Sequence, residues 1–156
     1  MSALIDFPLD RRHRPAPGSH LAYANVGSAS TLVRQARAGV VEAQHEADPA
    51  QRFAIAYLAA LRAAAAMLAL RGRPHRGRAR PASAWVLLTR LAPELAEWAA
   101  FFASCSSTRA AILAGVTRHV TQRTADDLVR QAAQFADLVA GAVAAAQTSP
   151  PGQGRA

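Results

Sequence analysis

Residues 48–70 constrain the fold more than any other part of the chain. Asp48 and Pro49 form a helix start signal, an N-cap residue followed by proline at the first helical position. The residues that follow are apolar on nearly every face of a helix, with Arg52 and Arg62 as the main exceptions. A helix of this kind belongs at the centre of a bundle, because all of its sides favour burial. We therefore predict a central helix from Pro49 to about Leu70.

The composition extends this prediction to the whole chain. Of the 156 residues, 51% are hydrophobic, mostly Ala, Leu and Val, and only 6% are aromatic. Ala and Leu favour helices, whereas sheets need more β-branched and aromatic residues. We predict a single all-α domain, an antiparallel bundle of four to five helices.

The same composition bears on where the protein works. Alanine contributes little to membrane insertion, so we expect no membrane partner for the apolar run. Cys105 is the only cysteine, so no intramolecular disulfide can form and a reducing compartment fits. We therefore expect a cytoplasmic protein.

Proline and glycine positions divide the chain. We predict a disordered N-terminal tail over residues 1–27, a helical bundle over 28–146 and a disordered C-terminal tail over 147–156. The first helix is expected to begin after Ser28 or Ser30, either of which can cap it.

The second half of the bundle is predicted from its apolar spacing. The third helical region carries one continuous apolar seam at spacings of three and four residues: Leu88, Leu91, Leu95, Trp98, Phe102 and Cys105. Pro93 interrupts this region and should kink the helix or start a second one. The polar residues 104–108 should break the helix, and a short helix should end at Gly115. The last helix should be capped by Thr124 and carry an Asp126–Arg130 pair.

A basic segment, residues 71–81, interrupts the helical pattern after the central helix. Its five arginines carry much of the formal net charge, because +8 without these five is +3; they are Arg71, Arg73, Arg76, Arg78 and Arg80. Arg-rich segments bind RNA or DNA through phosphate contacts. The alternative is a solvated loop in a chain whose arginine bias runs throughout, since all eighteen of its basic residues are arginine.

Several stretches are similar to a small HEPN-domain family of actinobacteria (higher eukaryote and prokaryote nucleotide-binding domain). The first runs from Asp48-Pro49-Ala50 through Phe53 and on over residues 59–63; the others are residues 83–85, 92–99 and 125–128. The resemblance covers roughly residues 32–146 and implies a bundle of four or five helices.

The resemblance also implies a test for catalysis. Many HEPN proteins are metal-independent endoribonucleases with an Arg, four to six residues and then a His. His119 lies near the expected place, but Ile112, Leu113 and Ala114 occupy the positions that should hold Arg. The remaining catalytic candidates are His119 with Arg118 or Arg123. The spacing itself occurs only at Arg14 and His20, in the predicted tail.

These observations favour a non-enzymatic HEPN-like interaction module that contacts nucleic acid or a nucleic-acid-associated partner. Two alternatives stay open: a metal-independent endoribonuclease with a degenerate site, and a purely protein-binding subunit. The resemblance suggests a nucleotidyltransferase as protein partner and a homodimer as a further assembly. We expect no cofactor and no metal, a buried inert thiol at Cys105, and core positions for Trp85 and Trp98.

Overall fold

The protein is described by a computed structural model over residues 17–72 and 83–149, and every regular element in these ranges is helical. Within these ranges five α-helices follow one another, and a 3-10 turn over Pro93–Leu95 separates the third from the fourth. They are α1 (Pro17–His45), α2 (Pro49–Arg71), α3 (Ala84–Leu91), α4 (Ala96–Leu113) and α5 (Gln122–Thr148). The predicted all-α bundle is confirmed.

Helix α2 begins where its cap residues predict. The Asp48 carboxylate accepts a hydrogen bond from the Gln51 backbone N–H at 3.0 Å, and Pro49 is the first helical residue. The helix packs most extensively on α1 and α5, and it also contacts α3 and α4. Its central position is confirmed, because its backbone lies close to those of all four other helices.

The predicted start of α1 is wrong. The helix begins at Pro17 rather than after Ser28 or Ser30, so residues 17–27 of the predicted disordered tail are helical. The Thr31 hydroxyl donates to the Gly27 carbonyl inside the helix, at 3.2 Å. A glycine or serine costs a helix interior only about 1 kcal/mol, which is too little to stop a long helix that is supported by packing. Residues 1–16 of the predicted tail lie outside the described residues.

Pro93 starts a second helical piece, as predicted, but the predicted break at residues 104–108 is wrong. Helix α4 continues through this polar run because its serine hydroxyls bond within the helix: Ser104 donates to the Phe101 carbonyl at 2.5 Å and Ser106 to that of Ala103 at 2.6 Å. The predicted end at Gly115 is confirmed. Gly115 has a φ of +85°, and its N–H bonds to the Ile112 carbonyl in a Schellman motif.

Helix α5 differs from its prediction at both ends. Thr121 caps it, and Thr124 is the third helical residue, whose hydroxyl completes a capping box. The helix extends to Thr148, two residues beyond the predicted bundle boundary, and residues 150–156 of the predicted tail lie outside the described residues. The predicted Asp126–Arg130 pair does not form, because Arg130 pairs with Asp127 and Asp126 pairs with Arg52 of α2.

Aromatic side chains fill the core between α2, α3, α4 and α5. Phe102 and Phe135 are fully buried, and their ring centroids lie 5.3 Å apart. The Trp85 indole N–H donates to the Tyr57 hydroxyl at 2.9 Å, which satisfies both buried polar groups. Trp85 is buried and Trp98 packs against the same core. The predicted burial of Cys105 is wrong: the side chain is only partly buried, because it packs against the edge of the core.

Among the described helices, α2 is long and apolar enough to cross a bilayer, with a mean hydropathy of 1.9 over eighteen residues. Half of that window is buried within the bundle. A core helix of a water-exposed bundle meets the same criterion, so length and hydropathy alone do not assign a span.

Candidate functional site

Arg71, the first residue of the basic segment, forms contacts that link helices of the bundle. Arg71 ends α2, donates to the Leu91 carbonyl at 3.2 Å and forms an ion pair with Glu94. The pKa of the Glu94 carboxyl is lowered, first by a hydrogen bond from its own backbone N–H and also by Arg71. Arg71 therefore joins the end of α2 to the junction of α3 and α4. The other candidates for nucleic-acid contact lie outside the described residues: Arg73, Arg76, Arg78 and Arg80.

The turn between α4 and α5 carries the catalytic candidates. The Val120 N–H bonds to the Thr117 carbonyl at 3.1 Å, so Arg118 and His119 occupy the two central positions of a β-turn. Both side chains are exposed, as is that of Arg123 in the first turn of α5. The turn thus gathers three cationic or titratable side chains over six residues at one end of the bundle.

His119 borders a cavity of about 290 Å³ between α4 and α5, whereas Arg118 and Arg123 do not line it. The apolar lining comes from three helices, with Phe53 of α2, Phe101 of α4 and Leu128 of α5. The polar lining consists of Ser104, Cys105, Thr108, Thr124 and Asp127. Of the three catalytic candidates, the structure therefore brings only His119 to this cavity.

The chemistry of this cavity is not that of an assembled nucleophilic site. Burial raises the pKa of the Cys105 thiol, which disfavours the reactive thiolate. Asp127 is paired with Arg130, and within the described residues no side chain hydrogen-bonds the His119 ring to orient it. Over the same residues, no three His, Cys, Asp or Glu side chains are placed to hold a metal ion.

The three positions upstream of His119 that would hold the arginine of the nuclease motif carry apolar side chains. Ile112 is buried in the core, and Leu113 and Ala114 are exposed where α4 ends. None of these side chains can contact a phosphate as a guanidinium does. The nearest upstream arginine, Arg109, places its guanidinium carbon 5.5 Å from the centre of the Tyr57 ring, a cation–π contact between α4 and α2.

Sequence reasoning missed the open side of the α4–α5 seam. Phe101 is 38% exposed although it neighbours the fully buried Phe102. Together with Glu97, Trp98 and Gln131, it lines a second cavity of about 330 Å³. The signal was present in α4, because Phe101 follows Trp98 by three residues and precedes Cys105 by four, and so lies at helical spacing from two members of the predicted seam.

The fold and these sites define a small all-α bundle with surface cavities and a basic interhelical segment. A family model described as SAV_6107-like HEPN matches residues 43–150, more than two thirds of the chain. The chain belongs to this HEPN family. The match includes all of α2 to α5 and only the last three residues of α1. No curated protein matches the chain, and no solved structure matches it.

Proposed function

We propose that the chain is a non-enzymatic HEPN module of the cytoplasm that contacts nucleic acid through residues 71–81. The observation that carries this proposal is the concentration of five arginines, and no acidic residue, within eleven residues of sequence. Membership in the HEPN family supports an interaction module in general. The hydrophobic residues upstream of His119 argue against retained nuclease chemistry.

Arg71 already has partners within the bundle, so the proposal assigns the phosphate contacts to the other four arginines of residues 71–81. Arg71 is engaged with Glu94 and with the Leu91 carbonyl, so its guanidinium serves the α2–α3–α4 junction. Arginines bind phosphate bidentately and with little sequence preference. The partner in this proposal is single-stranded or double-stranded nucleic acid, bound in a salt-sensitive manner.

The first prediction concerns binding to RNA and DNA across a salt series. A variant with Gln at Arg73, Arg76, Arg78 and Arg80 keeps Arg71 and should bind at least tenfold more weakly at about 100 mM salt. If all four contact single-stranded RNA, the slope of log Kd against log salt should fall by up to about 3. Fluorescence anisotropy with a labelled oligonucleotide measures both quantities.

The matched control removes the same charge from elsewhere on the surface. It carries Gln at four exposed arginines outside both candidate sites: Arg34, Arg37, Arg90 and Arg130. This control should keep most of the affinity. An equal loss in both variants would assign the binding to net charge and contradict the proposal. No binding by the intact protein, even at low salt, would leave the purely protein-binding subunit, for which a nucleotidyltransferase or a second copy of the chain are the candidate partners.

The second candidate function is a metal-independent endoribonuclease, and it is favoured by the place of His119 at a cavity with hydroxyl and carboxylate groups. We expect the intact protein to show no RNA cleavage above background in EDTA. Cleavage that His119→Ala abolishes would overturn the non-enzymatic proposal. The matched control is His45→Ala, because His45 is also exposed but bonds the Val41 carbonyl within α1, at 2.8 Å.

A further inference from the structure

Helices α4 and α5 are neighbours around the core, yet their backbones do not pack closely. Aromatic side chains hold them apart. The Trp98 and Phe135 ring centroids lie 5.5 Å apart, and Phe102 lies 5.3 Å from Phe135. Because three bulky rings fill the inner half of this space, the outer half remains open as a groove along the seam.

Two cavities form this α4–α5 groove, and Phe101 lines both. The half nearer the α4–α5 turn measures about 290 Å³ and the other about 330 Å³. Along α4 the lining runs from Glu97 to Thr108, which at 1.5 Å per residue is roughly 17 Å, or three helical turns. Two adjoining hollows over this length suit side-chain anchors that are one or two turns apart on a second helix.

The chemistry of the groove differs from that of the rest of the molecule. Its floor is apolar, with Phe53, Trp98, Phe101 and Leu128. Among residues 17–72 and 83–149, its charged lining residues are Glu97 and Asp127, and none of the arginines in these ranges lines either half although the chain has a net charge of +8. Arg130 pairs with Asp127, whose side chain stays 48% exposed, and His119 borders the end of the groove.

We propose that the α4–α5 groove docks a basic amphipathic helix of a protein partner. Its apolar face would cover Trp98 and Phe101, and its Lys or Arg side chains would face Glu97, which has no ion-pair partner among the described residues. Asp127 would be a shared partner, because it already pairs with Arg130. A lining whose charged groups are carboxylates favours a cationic segment over a nucleic acid. This inference is independent of the proposed contact between residues 71–81 and nucleic acid, because the two surfaces share no residue.

The test uses a labelled helical peptide with Leu and Phe at helical positions i, i+4 and i+7 and Lys on its flanks. A peptide of the same composition in scrambled order is the first comparison. Titration by fluorescence anisotropy should give saturable binding of the amphipathic peptide and at least tenfold weaker binding of the scrambled one. Phe101→Ser should weaken the binding at least tenfold, since buried aromatic anchors dominate such interfaces.

Two further variants distinguish binding in the groove from nonspecific hydrophobic binding elsewhere on the surface. Leu113→Ser removes a side chain that is 67% exposed and outside both cavities, so it should leave the affinity unchanged. Glu97→Lys should weaken binding of the Lys peptide and strengthen that of a version with Glu in place of Lys. Circular dichroism checks that each variant keeps its helical content.

Three results would overturn the proposal. The first is equal binding of the ordered and scrambled peptides, and the second is an equal loss in Phe101→Ser and Leu113→Ser. The third is a dimer in sedimentation that Phe101→Ser dissociates, because the groove would then be filled by a second copy of the chain.

Discussion

Replacing Phe102 by alanine should lower the free energy of unfolding by about 3–5 kcal/mol, since it removes a fully buried ring and leaves a cavity in the core. The ring contacts those of Trp85, Trp98 and Phe135, with centroids 5.1–6.2 Å away, so each neighbour also loses packing. A loss of this size is a large share of the stability of a small domain. Thermal unfolding followed by circular dichroism should show a decrease in Tm of roughly 10 °C or more.

The neighbouring Phe101 provides the control. It carries the same side chain on the same helix, but it is 38% exposed and its main ring contact is with Phe102, at 5.1 Å. Phe101→Ala should therefore cost about 1 kcal/mol or less. Equal losses in the two variants would show that the aromatic cluster does not form the core described above.

Replacing Gly39 by leucine should destabilise the protein by about 2 kcal/mol or more, because α1 and α2 approach closely at this position. A Cβ atom added at Gly39 would lie 3.1 Å from the Cβ of Ala59 and near the Arg62 guanidinium, at 3.7 Å. A leucine needs far more room, so the two helices would have to separate. Urea unfolding should show a lower midpoint with the helical content of the native state retained.

Gly141 is the matched position for this experiment. It is also helical, in α5, but it is exposed and a Cβ atom there would meet nothing within 4 Å. Gly141→Leu should stabilise the protein by about 0.5–1 kcal/mol, because leucine is the better helix former. If Gly39→Leu were equally stabilising, the close contact between α1 and α2 would be wrong.

Features that depend on local backbone chemistry could be predicted from sequence. The Asp48–Pro49 start of α2 and the Gly115 end of α4 involve hydrogen bonds that span only three to five residues. Pro93 divides the third helical region because its ring and missing N–H act on its immediate neighbours. These predictions succeeded because the free-energy difference between continuing and ending the helix is set by hydrogen bonds and steric contacts among neighbouring residues.

Predictions failed where the local preference for ending a helix or forming an ion pair is weak, so that tertiary packing determined the outcome. Helix α1 was expected to begin after Ser28 or Ser30, but it begins at Pro17. The polar residues 104–108 were expected to break α4, but this helix continues through them. Asp126 pairs with Arg52 of α2 instead of with Arg130, since the fold brings the first turns of α2 and α5 together. The partner of Asp126 therefore followed from tertiary proximity, whereas Arg130 pairs within α5 with Asp127, three residues before it.

The sequence by itself determined the helical class, the central helix and the concentration of arginines, because propensity, hydrophobic pattern and charge are properties of the chain. It also carried the HEPN likeness of residues 48–53 and 92–99, which the family match over residues 43–150 confirms. Only the tertiary structure decided that His119 borders a cavity and that Phe101 is exposed beside a buried Phe102. The physical reason is that a cavity or groove is formed by side chains from several helices, and its shape depends on how bulky rings at distant positions hold those helices apart.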